Sequence, residues 1–156
     1  MRYSGITYPD VNNGEGCRVT LFVSGCTHHC KGCHNKETWN FNYGNIFTED
    51  IKKKLFDIIS KSYIKGLTLS GGDPLDSYDE VLDLVKEFRS YFGETKDIWL
   101  YTGYKVEELL DLNKEEILDY IDVIVDGEYD ETQRDVSLAF RGSKNQRIIK
   151  INERYI

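Results

Sequence analysis

Short apolar runs alternate with amphipathic segments along most of this chain, and this alternation limits the folds open to it. The runs predict strands, which we place at Arg18–Val23, Gly66–Ser70, Asp97–Tyr101, Asp122–Asp126 and Arg147–Ile151. Strands that alternate with helices usually pair in parallel through β-α-β units. The sequence therefore predicts an α/β fold with an open, mainly parallel sheet of about five strands.

Helices are predicted between these strands. Thr48 is a candidate N-cap for a first helix, and Ser77-x-x-Glu80 has the pattern of a capping box at the start of a second. The apolar stripes are Ile51, Leu55, Ile58 and Ile59 in the first helix and Val81, Leu82, Val85, Phe88 and Phe92 in the second. A third helical region, in two pieces, is predicted over Val106–Tyr120.

Three of the four cysteines, Cys26, Cys30 and Cys33, are crowded together directly after the first predicted strand. Their spacing is C-x3-C-x2-C, and no second cysteine pair follows downstream. A 4Fe–4S cluster is normally held by four cysteine thiolates. Three thiolates therefore leave one iron of such a cluster open, and we expect the chemistry at that position.

Two other interpretations of these cysteines stay open. A structural zinc site would take His28, His29 or His34 as its fourth ligand, although zinc motifs usually consist of two separated pairs. Disulfides fit less well, because three cysteines are crowded together and no secretion signal is present. Cys17 stands apart, and we interpret it as a small buried hydrophobic residue.

Loops rich in glycine or cysteine follow the predicted strands. They are the cysteine loop, Gly71-Gly72-Asp73-Pro74, Thr102-Gly103 and Asp126-Gly127. The carboxyl ends of parallel strands share one edge of a sheet, and ligands of α/β proteins bind there. We therefore expect these loops to converge on one site.

The composition predicts a single domain over residues 1–156. The chain is 40% hydrophobic and 30% charged, with a net charge of −7. That charge disfavours nucleic acid and anionic membranes as partners, and no apolar run approaches the ~20 residues that span a bilayer. The first ten residues lack the apolar stretch of a signal peptide, so the expected location is cytoplasmic.

The cysteine triad, followed by a strand and Gly71-Gly72-Asp73-Pro74, resembles the radical S-adenosylmethionine (SAM) superfamily. The run Cys33-His34-Asn35-Lys36-Glu37-Thr38-Trp39 is similar to one in glycyl-radical-enzyme activating proteins. Near the end of the chain, Arg141–Arg147 resembles the activating proteins of anaerobic ribonucleotide reductases. These matches extend from the N-terminal segment to about residue 150.

The resemblance implies a short partial (β/α) barrel of the radical SAM type with two cofactors, one 4Fe–4S cluster and SAM. The implied site residues are Cys26, Cys30 and Cys33 for the cluster, and Gly32, Cys33, His34, Gly71, Gly72, Asp73 and Asp126 for SAM. The SAM ammonium group would be received by backbone carbonyls or by Asp73. No catalytic side chain is expected, because a deoxyadenosyl radical derived from SAM is the abstracting agent.

Several residues have two interpretations at this point. Asp126 either helps to bind the SAM carboxylate or caps a helix or turn. His28 and His29 are interpreted as solvent-exposed residues of a loop tip. The Arg141–Arg147 segment is either an exposed basic loop or, as the resemblance suggests, a segment that docks the partner or shapes the SAM site.

The implied partner is the large subunit of an anaerobic ribonucleoside-triphosphate reductase, which would receive a glycyl radical, with a reduced flavodoxin-like protein as electron donor. One alternative is an activase of another glycyl-radical enzyme, such as pyruvate formate-lyase. Another is a radical SAM enzyme that acts on a small molecule in a deeper pocket. From a different class comes a zinc-stabilised interaction module without catalysis.

Overall fold

The computed structural model describes residues 1–33 and 36–151, which form an α/β fold around one mixed sheet. The seven strands in these residues are β1 (Arg2–Asp10), β2 (Arg18–Val23), β3 (Asn45–Ile46), β4 (Gly66–Gly71), β5 (Asp97–Tyr101), β6 (Val123–Asp126) and β7 (Arg147–Lys150). The elements of these residues include two α-helices, α1 (Glu49–Ile59) and α2 (Tyr78–Phe92). The strand order across the sheet is β3-β1-β2-β4-β5-β6-β7.

The centre of the sheet is parallel and its edges are antiparallel. Strands β2, β4, β5 and β6 pair in parallel, whereas β1, β3 and β7 join through antiparallel pairings. The α/β class is confirmed, but the prediction of about five mainly parallel strands is wrong at both edges. The connection from β6 to β7 contains no α-helix in the part of the chain described, and an antiparallel pair needs no helical crossover. The fold is therefore not clearly the partial (β/α) barrel that the resemblance implied.

Strands β1 and β3 were not predicted from the sequence. Most residues of β1 are exposed or half-buried, and its pairing with β2 shifts register twice, between Tyr3 and Gly5 and between Thr7 and Asp10. Such a strand has no continuous period-2 alternation of apolar residues. Strand β3 is only two residues long and pairs with the start of β1.

Both helices start where the sequence predicts, but only one of the two predicted caps is formed. The hydroxyl of Thr48 accepts a hydrogen bond from the Ile51 N–H at 3.2 Å and caps α1. The predicted capping box at Ser77 is wrong, because a 3₁₀ turn over Pro74–Ser77 runs directly into α2 and the Ser77 side chain makes no capping bond. The third helical region consists of two short 3₁₀ helices, Val106–Glu108 and Glu115–Asp119. Neither α-helix in the described residues has the length and apolar character to cross a bilayer.

Alternate residues of the four parallel strands belong to two faces of the sheet. The helix face packs against α1 and α2, and it contains Val19, Leu21, Val23, Leu67, Leu69, Ile98, Leu100 and Ile124. The opposite face, here called the cavity face, contains Arg18, Thr20, Thr68, Trp99, Tyr101, Val123 and Val125. The larger apolar core therefore lies on the helix face, whereas the cavity face combines buried polar side chains with a smaller apolar cluster of Trp99, Val123 and Val125.

Candidate metal and cofactor site

The loops after the parallel strands surround a cavity of about 220 Å³ at the carboxyl edge of the sheet. Its lining comprises Cys26, His28, Cys30, Cys33, Trp39, Ser70, Gly71, Gly72, Asp73, Tyr101, Thr102, Gly103, Val125, Gly127, Tyr129, Gly142 and Gln146. Four strand ends therefore contribute to one cavity. The predicted convergence of the cysteine loop, the glycine turn and the Thr-Gly pair is confirmed.

The cysteine loop follows β2, and its first residues are hydrogen-bonded to a short 3₁₀ helix, Lys36–Trp39. The Gly25 N–H donates to the Thr38 carbonyl at 2.6 Å, and the Cys26 N–H donates to the Trp39 carbonyl at 3.2 Å. The Cys26 side chain is buried, whereas Cys30 and Cys33 are half-buried. All four cysteines of the chain lie in described residues, and none is in a disulfide.

Two thiols of the cysteine loop, those of Cys26 and Cys30, have raised pKa values. Burial raises the pKa of the Cys26 thiol to about 11. Burial also raises the pKa of Cys30, and the nearby Glu128 carboxylate, with its oxygen 3.8 Å from the Cys30 sulfur, adds to this effect. Thiols bind metals as thiolates, so metal binding at this site releases protons.

The turn after β4 is held directly against the end of β2. The Gly72 N–H donates to the Val23 carbonyl at 2.7 Å, and the Asp73 N–H donates to the Gly25 carbonyl at 2.8 Å. Gly71 has a φ of +105°, and a Cβ atom there would lie 2.4 Å from the Val23 oxygen. A side chain at Gly71 is therefore excluded both by the backbone conformation and by the neighbouring strand.

The Asp73 side chain lines the cavity, but its carboxylate is already occupied. One oxygen lies 2.6 Å from His28 Nε2 and accepts from the Thr102 hydroxyl at 3.0 Å and the Gly103 N–H at 2.9 Å. The other accepts from the Leu75 N–H at 3.0 Å. Asp73 is also 1% exposed, so an incoming ammonium group would compete with these four partners. These contacts favour backbone carbonyls over Asp73 as the group that would receive it.

The interpretation of His28 as a solvent-exposed loop residue is wrong. Its ring lines the cavity, packs edge-on against Tyr104 with 4.5 Å between ring centroids, and bonds to Asp73. That hydrogen bond is the main reason why the pKa of His28 is raised, although burial opposes the shift. The two residues are 45 positions apart, so no local pattern could have paired them. His29 is exposed, as expected, and stacks on Trp39.

The three consecutive residues predicted to contact SAM are only partly brought to the cavity. Cys33 lines it, whereas Gly32 is not among the lining residues, and a Cβ atom at Gly32 would meet the Glu131 side chain. His34 lies outside the described residues. Contact of Gly32 and His34 with SAM therefore stays a prediction.

Asp126 is not brought to the cavity. It alternates along β6 with Val125 and lies in line with Ile124, on the helix face. Its buried carboxylate accepts from the Val106 N–H at 2.9 Å and from the Arg147 guanidinium. These contacts agree with the capping interpretation of Asp126 and do not support a role in SAM binding.

The Arg141–Arg147 segment contributes to the lining of the cavity and is not a simple exposed loop. The Gln146 side chain accepts from the N–H groups of Gly142 and Ser143 and donates to the Gly127 carbonyl at 3.1 Å. Ser143 is fully buried, and both Gly142 and Gln146 line the cavity. Of the interpretations left open by the sequence, a role in shaping the site agrees with these contacts.

The donor set of the cavity fits a cluster that has three protein ligands. Cys17 precedes β2, whereas the other three cysteines follow it, and a six-residue strand separates the two ends by about 20 Å. Cys17 is partly buried against the core, close to the hydrophobic role predicted for it. His28, a candidate fourth ligand for zinc, is bound to Asp73 instead. The cavity therefore offers three thiols and, among the described residues, no fourth cysteine.

The chain matches a known protein family, and the match agrees with the three-cysteine loop. Residues 12–149 match the 4Fe-4S single cluster domain family. The match includes the cysteine loop, the glycine turn and the Arg141–Arg147 segment. The chain therefore contains a 4Fe–4S single cluster domain.

Proteins with similar sequences identify the family more specifically. The chain is 49% identical over 150 residues to the anaerobic ribonucleoside-triphosphate reductase-activating protein of enterobacteria phage T4, covering 95% of this chain and 93% of the relative. It is 47% and 44% identical to the proteins of that name from Haemophilus influenzae and Escherichia coli K12, covering 89% of this chain and 92% of each relative. The chain thus belongs to the family of anaerobic ribonucleoside-triphosphate reductase-activating proteins. The resemblance to the activating proteins of anaerobic ribonucleotide reductases is confirmed.

Proposed function

We propose that this chain is a radical SAM activase that generates a glycyl radical on an anaerobic ribonucleoside-triphosphate reductase. The observation that carries the proposal is the meeting of three thiols and a Gly-Gly turn in one cavity. Thiolates of Cys26, Cys30 and Cys33 would hold a 4Fe–4S cluster, one iron of which has no cysteine ligand. When bound, the cluster and SAM supply an electron and the deoxyadenosyl radical that takes a hydrogen atom from a glycine.

In this proposal the residues of the chain bind the cluster and SAM, orient them and enclose them in the cavity. The backbone of Gly71 and Gly72 lies along the cavity without side chains, which permits close approach of the methionine part of SAM. Trp39 and Tyr129 contribute aromatic surface to the lining, and Gly142 and Gln146 complete it from the C-terminal segment. No described side chain needs to act as an acid or base in this scheme.

We propose that the substrate is a glycine-bearing loop of the partner, which completes the site from outside. The relatives are named for the activation of a reductase, which makes a protein the expected substrate of this chain. A reduced flavodoxin-like protein would supply the electron.

The experiment is anaerobic reconstitution with iron and sulfide, followed by reduction and addition of SAM and the reductase. A glycyl-radical EPR signal on the reductase is expected, and pyruvate formate-lyase in place of the reductase is expected to give none. Cys30→Ala removes a proposed cluster ligand and abolishes the signal, whereas Cys17→Ala, at the far end of β2, retains it. A colourless protein with one bound zinc would establish the non-catalytic alternative instead.

A further inference from the structure

Two residues between Cys26 and Cys30 tie the cysteine loop to the segment after β4. Thr27 donates its N–H at 2.8 Å and its hydroxyl at 3.1 Å to one oxygen of Asp76. The Nε2 atom of His28 lies 2.6 Å from an oxygen of Asp73. Both carboxylates of the turn that enters α2 therefore hold the cysteine loop.

The contact made by His28 is the buried one of the two. The His28 side chain is 10% exposed and that of Asp73 is 1% exposed, whereas the Thr27 contacts are exposed. Water competes less with a buried hydrogen bond, and bonds to charged groups contribute more than neutral ones. Asp73 is in turn fixed by the Thr102 hydroxyl and the Gly103 N–H at the end of β5.

The His28 ring is also enclosed by its neighbours. A Cβ atom on Gly103 would lie 2.7 Å from the ring, so the two residues are in close contact. Tyr104 packs edge-on against the other part of the ring, and its hydroxyl donates to Asp76 at 2.5 Å. This packing restricts the ring to the orientation in which Nε2 meets Asp73.

We propose that His28 is a positioning residue that fixes Cys26 and Cys30 relative to the Gly71-Gly72 backbone. Through Asp73, one side chain joins the cysteine loop, the turn after β4 and the end of β5 into a single unit. The inference rests on the proposed function, since it assigns a role toward the cluster and SAM. His28 is not itself a metal ligand in this scheme, because its Nε2 is bound to Asp73 and its Nδ1 lies 3.4 Å from Glu128.

Two substitutions of His28 separate positioning from metal binding. In His28→Gln the side-chain amide nitrogen reaches about as far as Nε2 and can donate to Asp73, whereas the shorter side chain of His28→Asn cannot. Neither amide is an effective ligand for iron or zinc, which are bound by thiolates, imidazoles and carboxylates. Lys31→Ala, in the same loop with a 91% exposed side chain, is the matched control.

The first measurement uses the metal-free full chain. The alkylation of Cys26 by iodoacetamide is followed by mass spectrometry, with Cys17 as an internal reference for global unfolding. Loss of a buried hydrogen bond to a carboxylate should make Cys26 react about 10-fold faster or more in His28→Asn. His28→Gln keeps the bond to Asp73 and Lys31→Ala is a surface substitution, so both should stay within about twofold of the native rate.

The second measurement uses the reconstituted protein. His28→Asn is expected to lose iron to a chelator faster and to show a weaker change of the cluster EPR spectrum on addition of SAM, with both restored in His28→Gln. Native Cys26 reactivity in His28→Asn would overturn the proposal, and so would equal loss of iron in both variants, which would indicate a ligand role. Equal acceleration at Cys17 and Cys26 would overturn it too, because the effect would then be global unfolding. If native protein shows no response to SAM, the proposed function fails, while the alkylation rates still decide the role of His28.

Discussion

The two faces of the central sheet are built from the same four strands but do different things. On the helix face the buried strand residues that pack against α1 and α2 are aliphatic, and Asp126 at the end of β6 is the one buried polar residue of this face in the described strands. On the cavity face the buried residues include an arginine, two threonines and a tryptophan, and the last residues of this face line the cavity. Residues that stabilise the core and residues that face the cavity therefore alternate along the same strands.

The buried arginine and threonines of the cavity face are hydrogen-bonded, whereas the buried Tyr101 hydroxyl has no such partner among the described residues. The Arg18 side chain is fully buried, donates to the Thr68 hydroxyl at 2.8 Å and the Leu67 carbonyl at 2.9 Å, and lies 2.6 Å from the Asp97 carboxylate. Its guanidinium also sits 5.6 Å from the centre of the Trp99 ring. A buried charge is tolerated only when it is paired and hydrogen-bonded in this way. This network supports the strands below the site without entering it.

The largest expected effect comes from breaking the helix face at β5. Leu100 is fully buried in the apolar core, so Leu100→Ala should lower the free energy of unfolding by about 2–5 kcal/mol. Its neighbour Tyr101 lies on the cavity face, and its buried hydroxyl has no hydrogen-bond partner among the described residues. Tyr101→Phe should therefore change stability by less than about 1 kcal/mol, or raise it.

Urea unfolding of the two metal-free variants checks this contrast, and circular dichroism checks that both are folded. Similar losses of stability for Leu100→Ala and Tyr101→Phe would mean that the Tyr101 hydroxyl stabilises the fold as much as the buried Leu100 side chain does. In that case the separation of stability from chemistry would not hold at β5.

The second prediction concerns the glycine turn at the cavity. Gly71→Ala places a Cβ atom 2.4 Å from the Val23 oxygen at a φ of +105°, so it should destabilise the protein by about 1–3 kcal/mol. It should also weaken SAM binding, since the turn moves away from the end of β2. Gly5→Ala is the control, because no atom lies within 4 Å of its Cβ position. Isothermal titration with SAM and thermal unfolding measure both effects, and native SAM affinity in Gly71→Ala would contradict the assignment of this turn.

The centre of the fold was predictable because its signals are local. Strands β2, β4, β5 and β6 are short apolar runs, and their bounds agree with the prediction to within one residue. The edges were not predictable in the same way. Strand β7 was recognised as a strand, but its antiparallel direction depends on the path of the chain from β6, which carries no periodic signal. Strand β1 is mostly exposed or half-buried and is held in the sheet by its pairing with β2, so it has little apolar pattern of its own.

The parts of the site that are defined by a single local motif were predictable from the sequence. The cysteine triad and the glycine turn each follow a strand, and parallel pairing of β2 with β4 brings them together. His28 was misjudged and the role of Asp126 was left open, because the surroundings of both residues are set by tertiary contacts. His28 depends on a partner 45 residues away, and the position of Asp126 depends on which face of β6 it falls on. Alternation along β6 from Ile124 was the one signal that could have excluded Asp126 from the cavity.

The third prediction tests that placement of Asp126. Its carboxylate is fully buried, and Arg147 is its charged partner, so Arg147→Ala leaves it with the Val106 N–H alone. An unpaired buried carboxylate should cost about 1–3 kcal/mol of unfolding free energy. A second substitution, Asp126→Asn in the same chain, should recover part of the loss. Iron content and SAM affinity should stay native in both, and a specific loss of SAM affinity would return Asp126 to the site.

The smallest effect is expected at the exposed end of the same arginine. Arg147 also donates to both oxygens of Glu107, at 2.9 and 2.8 Å, and this contact lowers the pKa of Glu107 from 4.5 to about 2. A carboxyl whose pKa is lowered by folding stabilises the protein above its ordinary pKa, and that contribution is lost as the pH falls through the lowered value. Because the pair is exposed, the contribution should be small. In an NMR titration the Glu107 carboxyl should show a midpoint near pH 2 in the native protein and near 4.5 in Arg147→Ala. An unchanged midpoint would mean that Arg147 is held by the buried Asp126 alone.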